Sequence, residues 1–516
     1  MKPSCLFTGI ILFFFVIFIV IPVCYILLLP ACDFESINIF EIRHLGLMKK
    51  SFILASGTAF FALIIGLPTA FFLFQLSARY KPFFMFFLVI PVLIPTYIHA
   101  IVWNQIEYFL NESIFAINIH SMEGAIFILT LSYFSYITLI VYSGLHTMDK
   151  NLIEISLLSS GKFKSFYRII LPLLFPYIFA GTMFVFIFSI IDFGVPDMLR
   201  LNVYPIEIFV QFSAFYNEKA AMTLSFPIIV LTICLIIMQK NYMKDRSYFQ
   251  IVGDLKKQRV NLFASDPMWV IILPVIFLSS IVPVIVLIIK AGNYSNYLEA
   301  WSGSKSQIFY SIFVSSASAM SIIILSFFIA YLITRLRKGF LASTMDIISM
   351  IPLAIPASTV GICMIKVWNQ PVVDFAYSNS LIIIFGHIVR FIPFGVMIIM
   401  SGLRNINTNV EEAALLITPR KFTIMLNILL PLLRPSLFVG FFIIFLLSFS
   451  ELGTTLLIMP PGHETIPVKI YNLIHYGAYE LVNALCLILI FMIIVISGLF
   501  LFLYQKLINQ QPCNAL

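Results

Sequence analysis

The strongest constraint on this chain is a series of apolar blocks, each about as long as a bilayer is thick. Hydropathy marks twelve of them, at 6–30, 52–76, 84–106, 122–146, 173–198, 221–239, 267–290, 309–334, 341–367, 379–402, 432–456 and 482–505. A spanning helix needs roughly 20 apolar residues, because about 30 Å of hydrocarbon offers no hydrogen bonds to an open backbone. Composition agrees: 61% of residues are hydrophobic and 10% are charged, against about 25% charged in soluble domains. A mean hydropathy of +1.05 leaves no room for a large aqueous domain. The expected fold is all-α, a polytopic membrane protein with about twelve transmembrane helices. The first block follows Lys2 as a secretory signal would, but it is longer than a usual signal core and lacks a clean small-residue cleavage site, so a retained helix is expected.

The net charge of +8 has two explanations, nucleic acid or a membrane protein that keeps Lys and Arg inside. With the N-terminus inside, 21 of the 31 Lys and Arg fall on inner segments, and the opposite orientation reverses the bias. Both termini, the central linker and the loops after helices four and ten are therefore expected on the cytoplasmic side of the membrane, with no nucleic-acid partner. The seven cysteines show no CxxC and no metal spacing, and most read as small buried hydrophobes. A disulfide between Cys24 and Cys32 stays open.

Self-comparison gives the organisation. Ser51-Phe52-Ile53 matches Ser311-Ile312-Phe313, and Ile90-Pro91-Val92-Leu93-Ile94-Pro95 matches Ile351-Pro352-Leu353-Ala354-Ile355-Pro356. Leu171-Pro172 to Pro176 matches Leu430-Pro431 to Pro435, Asp192-Phe193-Gly194 matches Glu451-Leu452-Gly453, and Pro205-Ile206-Glu207-Ile208 matches Pro467-Val468-Lys469-Ile470. The offsets are 260, 261, 259, 259 and 262. Two six-helix repeats of the same orientation follow, related by an axis along the membrane normal. The expected division is a first half at 1–240, a polar linker at 241–266 and a second half at 267–516.

Two inner loops are too long and too patterned for simple turns. In the second, Val410, Ala413, Ala414 and Ile417 recur at helical spacing. Thr418-Pro419 then stops one helix and starts another, whose apolar face is Phe422, Met425 and Leu426. Alanines beside a glutamate suit a helix that another protein contacts closely. Glu412-Ala413-Ala414, with Pro431 of a Leu-Pro pair nineteen residues after the glutamate, resembles the EAA loop of the permeases of ABC importers. The resemblance implies a coupling helix seated in a groove of a separate ATP-hydrolysing subunit. Thr418 stands where that loop usually has glycine. The first loop is looser: Glu154 lies eighteen residues before Pro172, Ile155 and Ser156 replace the alanines, and Gly161 comes one place late. Two halves fused in one chain resemble the ferric-iron permease family and its thiamine-importing relatives, along Pro95-Thr96-Tyr97 to Trp103, Ile206-Glu207-Ile208 to Tyr216 and Pro460-Pro461-Gly462 to Gly477. The resemblance implies two ATPase copies that use ATP, and a periplasmic or lipid-anchored binding protein that delivers ferric iron, with thiamine or another small solute as the alternative.

Ionisable residues at membrane depth are functional candidates, since desolvation is costly unless they face protein or water. Asp192 and Glu451 share a repeat position and are expected to face each other; they either line the outer pathway or accept hydrogen bonds from neighbouring helix ends. Arg390, one turn after His387, either meets an anionic cargo or ties two helices together. Pro95 and Pro356, with Pro91 and Pro352, interrupt helices three and nine and suit a gate. His99 reads as a packed residue, and Glu464, His463 and His475 could meet a docking partner. No Cys, His, Asp and Glu constellation has metal spacing, no catalytic motif stands out, and the nearest approach to a phosphate loop, Gly161-Lys162, is followed by Phe163. No cofactor and no enzymatic activity are expected of the chain itself. A secondary transporter of major-facilitator type also has two six-helix halves, but its basic motif follows the second helix. Here the loops at Leu76–Lys81 and Arg335–Gly339 lack the acidic partner, and the patterned loops follow helices four and ten.

Overall fold

The computed structural model describes residues 5–32, 38–111, 118–148, 150–242, 266–335, 339–418 and 421–509. Most of the linker therefore lies outside the described residues, as do Pro419 and Arg420.

The first repeat opens with α1 (Cys5–Phe15), a π-helical turn (Val16–Val20) and α2 (Ile21–Cys32). It continues with α3 (Ile42–Gln75), α4 (Lys81–Leu93), α5 (Thr96–Asn111), α6 (Met122–Thr147) and α7 (Lys150–Ser165). After a second π-turn (Phe166–Ile170) come α8 (Leu171–Ile190), α9 (Gly194–Met198), α10 (Tyr204–Ser213) and α11 (Glu218–Tyr242). The second repeat runs α12 (Asp266–Ile276), a π-turn (Phe277–Ile281), α13 (Val282–Ala291), α14 (Tyr294–Arg335), α15 (Phe340–Met350), α16 (Ala357–Trp368), α17 (Asp374–Tyr377) and α18 (Leu381–Asn405). Then follow α19 (Thr408–Ile417), α20 (Lys421–Ile424), a π-turn (Met425–Leu429), α21 (Leu430–Leu432), α22 (Arg434–Phe449), α23 (Thr455–Ile458), α24 (Ile466–His475) and α25 (Tyr479–Asn509). Among the described residues nine helices are long and apolar enough to cross a membrane, or up to twelve if each of three bent pairs is one span. The all-α polytopic fold with two like repeats is the observed one.

The repeat extends to backbone irregularities. The four π-turns form two equivalent pairs, and each is followed by one residue and then a proline: Pro22, Pro172, Pro283 and Pro431. In each the last amide before the proline reaches five residues back, Ile21 to Val16, Leu171 to Phe166, Val282 to Phe277 and Leu430 to Met425. Proline supplies no N–H, and its ring crowds the carbonyl four residues earlier. The wider turn gives the ring room without ending the helix.

Helices three and nine are not gently kinked spans. α4 meets α5 at 93°, and α15 meets α16 at 113°. The corners fall at Ile94-Pro95 and Ile355-Pro356, where Ile94, Ile355 and Pro356 take extended ψ angles of 120°, 128° and 147°. Residues before proline are pushed out of the α region, so the sequence itself sets the corners.

Compactness follows a different division from the repeats. One unit is Ile37–Phe215 with Pro227–Asn296; the other is Met1–Ser36, Tyr216–Phe226 and Tyr297–Leu516. The opening helix of each repeat is thus grouped with the body of the other, while 1–240 and 267–516 describe the sequence repeat. The contacts explain the exchange. In the first unit, Trp269 of α12 meets Phe72 and Phe84 edge-on, at 4.7 and 5.1 Å between centroids. Ser280 donates to the carbonyl of Phe87 at 2.7 Å, the acceptor that Pro91, four residues on, cannot serve. In the second unit, Phe18 lies against Phe385 at 4.9 Å, and Tyr25 donates to Glu218 Oε1 at 3.2 Å. Glu218 also pairs with Lys366 of α16.

Candidate functional site

The second patterned loop is a short helix with two unlike faces. Asn407 caps α19 by accepting the amide of Asn409 at 3.0 Å, an ordinary helix start. Glu411 and Ala414 turn inward. Glu411 Oε1 lies 2.5 Å from Arg335 Nη2 at the end of α14, with both side chains nearly buried, and the same Arg335 nitrogen donates to the Leu403 carbonyl at 3.3 Å. Glu412 and Ala413 are exposed, as are Leu416 at 91% and Ile417 at 88%. Thr418 ends the helix in extended geometry (φ −139°, ψ 125°), its amide still bonded to Ala414. Of the second short helix, Met425 is buried and Leu426 exposed, while the side chain of Phe422 lies outside the described residues.

The equivalent loop in the first repeat breaks at Gly161, whose φ of +71° and ψ of +165° interrupt α7. That backbone region is open to glycine and strained for other residues. Ser156 and Ser165, both buried, share a hydroxyl hydrogen bond across the break and hold its two arms together. Ile155, Leu158 at 88%, Phe163 and Tyr167 are exposed. The side chain of Glu154 lies outside the described residues. Both repeats therefore present a bent surface helix with large apolar side chains facing outward. Isolated apolar residues are common on surfaces, but contiguous ones mark interaction sites.

The membrane carboxylates sit at repeated corners, each in its own unit. Asp192 Oδ1 accepts the Val195 amide at 2.9 Å, the start of α9. Its Oδ2 accepts the hydroxyls of Thr96 at 3.1 Å and Tyr133 at 3.0 Å. Thr96 follows Pro95, so Asp192 grips the far side of the break in helix three. Glu451 is buried and accepts the amides of Thr454 and Thr455 at 2.8 and 2.9 Å, and the Thr455 hydroxyl at 2.6 Å. Arg390 Nε stands 3.6 Å and His387 Nε2 3.7 Å from it. His387 also contacts Ser318 at 3.3 Å and Thr455 at 3.0 Å, and Arg390 donates to the Thr454 hydroxyl at 3.5 Å. The Thr454 hydroxyl donates in turn to the carbonyl of Ala357, just past Pro356, at 3.2 Å. A Cβ on Gly453 would stand 2.6 Å from that of Ala357, so the corner fits only without one. The same corner is thus built with Thr and Tyr hydroxyls in one repeat and with a Thr hydroxyl joined by Arg and His in the other.

Elsewhere, His99 is fully buried, Glu464 accepts from Asn472 at 2.7 Å and faces Lys469 at 3.7 Å, and His463 packs on Tyr310. No group of three or more His, Cys, Asp and Glu is arranged to hold a metal among the described residues, and Cys24 is a free thiol. Sequence reasoning missed Glu411 and Arg335. The signal was the paired glutamates, of which 411, three before Ala414 and seven before Thr418, takes the inward position.

A polytopic helical chain with a fused repeat, a proline-broken third helix in each half and two outward-facing surface elbows is a transport permease. It belongs to the family of binding-protein-dependent transport system inner membrane components, whose pattern matches residues 62–247 and 322–510. It is 22% identical over 484 residues to the Fe(3+)-transport system permease protein FbpB 2 of Haemophilus influenzae, covering 91% of each chain. It is 26% identical over 227 residues to the spermidine/putrescine transport system permease protein PotC of Escherichia coli, covering 40% of this chain and 83% of that one. A putative 2-aminoethylphosphonate transport system permease protein, PhnV of Salmonella typhimurium, is 27% identical over 146 residues, covering 28% of this chain and 55% of that one.

Proposed function

We propose that this chain forms the translocation path for ferric iron, delivered by an extracytoplasmic binding protein and driven by a separate ATPase, in two copies, that docks on α7 and α19. The chain is an inner-membrane permease. The observation that carries the coupling part is the repeated elbow, with Leu158, Leu416 and Ile417 exposed beside Glu412 at equivalent positions of the two halves. An apolar patch of this kind asks for a protein partner. Sidedness rests on the charge count, which favours cytoplasmic elbows and termini. Asp192, Glu451 and Arg390 would brace the corners at Pro95 and Pro356, so that these act as the moving parts of a gate.

The iron assignment rests on the ferric permease relative, which spans 91% of this chain. The polyamine and phosphonate permeases align over shorter stretches. Family membership sets aside the major-facilitator alternative.

Two experiments test this. Co-purification with the ATPase subunit should be lost on Glu412→Arg; retention of both complex and uptake would remove the elbow from the coupling surface. Radiolabelled ferric-iron uptake should fail in a deletion strain. Normal iron uptake with failed thiamine uptake would move the cargo assignment and leave the class untouched.

A further inference from the structure

His120 stands where the end of α5 meets the start of α6 and the turn after α9, all within one compact unit. The turn that presents it is fixed by its neighbours. Ser121 caps α6 by accepting the Gly124 amide at 3.1 Å, and a Cβ at 124 would strike the Ile119 carbonyl. His120 Nδ1 lies 3.1 Å from the Leu199 carbonyl. A carbonyl only accepts, so Nδ1 donates and the neutral ring has its lone pair on Nε2. That nitrogen faces two more acceptors, Asn104 Oδ1 at 3.0 Å and Glu107 Oε2 at 3.6 Å. Asn104 and Glu107 are three residues apart on α5 and share a face. Glu107 Oε2 is buried yet accepts no hydrogen bond among the described residues.

Three lone-pair donors thus converge, and what satisfies them is a cation. A proton on Nε2 would serve Asn104 and leave Glu107, at 3.6 Å, beyond hydrogen-bond reach. A metal ion serves all three. Donors held by bonds of about 2.1 Å lie roughly 3.0 Å apart at a right angle and roughly 3.6 Å apart at about 120°. The Leu199 carbonyl then acts as an acceptor behind a metal-bound imidazole does, fixing the tautomer and aiming the ring. Imidazole suits iron, zinc, copper and nickel, and the two oxygens favour the hardest of these, ferric iron. The second repeat lacks the set. At the offset of 261 that relates the two broken helices, Ile365 and Trp368 stand for Asn104 and Glu107. A cluster needed only by the fold belongs in both halves.

We propose that Asn104, Glu107 and His120 form a receiving site for the cargo iron at the outer end of the broken third helix. This rests on the ferric reading given above and on the sidedness that puts the end of α5 outside. The His120 side chain is 38% exposed and that of Glu107 12%, so one side of the ion stays open to the water or chelate that brings it. Three ligands with open positions hold an ion firmly enough to collect it and loosely enough to pass it on.

The test dialyses the purified full chain against radiolabelled ferric iron supplied as its citrate complex. The wild type should hold one equivalent, and iron should raise its thermal midpoint. Glu107→Gln, which keeps the shape and removes the charge, should bind about tenfold or more weakly and lose the iron-dependent shift, whatever its midpoint without iron. His120→Gln should do the same. A wild type that holds no iron, or a Glu107→Gln variant that holds as much, overturns the site. Should His120→Gln fail to fold, Glu107→Gln decides alone. Iron held at the site by a chain whose deletion leaves iron uptake normal would keep the metal site and remove its cargo role. Iron uptake that needs the chain yet is unchanged by Glu107→Gln would keep the ferric reading and remove the site.

Discussion

Glu411 of the surface helix α19 is paired with Arg335 at the end of α14, 2.5 Å apart and nearly out of solvent. The neighbouring Glu412 is exposed. Two consecutive glutamates therefore do different jobs. One ties the elbow to α14, and the other is left on the exposed face.

Replacing Glu411 by Gln should loosen this joint. Removing one partner of a buried pair leaves the other charge uncompensated and costs about 3–5 kcal/mol. Thermal unfolding of the purified chain should show Glu411→Gln and Arg335→Gln strongly destabilised, whereas Glu412→Gln should leave the midpoint unchanged. Equal midpoints for Glu411→Gln and Glu412→Gln would mean the pair carries no weight.

Gly161→Ala isolates backbone strain. Nothing lies within 4 Å of a Cβ built there, so the whole penalty comes from φ +71° and ψ +165°, on the order of 1–3 kcal/mol. Limited proteolysis should cut the first elbow faster in the variant, and affinity for the ATPase should fall while the transmembrane helices stay intact. Cleavage at the wild-type rate would contradict the geometry at Gly161.

Ser280→Ala removes the donor that serves the Phe87 carbonyl beside Pro91. A buried carbonyl left without a partner costs about 1–3 kcal/mol. The variant should unfold earlier in a thermal ramp, and Ser280→Thr, which keeps the hydroxyl, should recover most of the loss. No difference between Ala and Thr at this position would show that the bond does not hold helix seven to helix three.

Glu451 and Arg390 should couple. Glu451→Gln leaves Arg390 and His387 facing a neutral group at membrane depth, so Arg390→Gln should hurt less in the Glu451→Gln background than in the wild type. A double-mutant cycle on thermal stability is expected to give an interaction of about 0.5–3 kcal/mol. Strict additivity would leave Arg390 without a structural tie to Glu451.

Much of the fold was legible because it follows from local chemistry. Apolar block length gives the spans, and the shared offset of the Leu-Pro, Ile-Pro and acidic corners gives the repeat. Pro95 and Pro356 announced a break, although sequence could not supply the near-right angle, which depends on what each arm packs against. Of the elbows, Thr418 was read as a helix stop, while Gly161 was placed only against the EAA-loop glycine and not as the break it forms. The apolar spacing of Val410, Ala413 and Ile417 was visible, but not that Ile417 and Leu416 point outward. A helical period says which residues share a face, not which face is buried.

What the amino-acid order determined by itself is what depends on neighbours along the chain: helices, stops, proline-driven π-turns and the family. Tertiary structure alone decided the exchange of opening helices between the two compact units, the burial of Glu411 against Arg335 and the setting of Asp192 and Glu451 in unlike donor shells. The long-range contacts among them join residues 59 to 367 positions apart, as with Tyr133 to Asp192 and Phe18 to Phe385. No periodicity reaches that far, and only the three-dimensional meeting of helix faces makes such pairs.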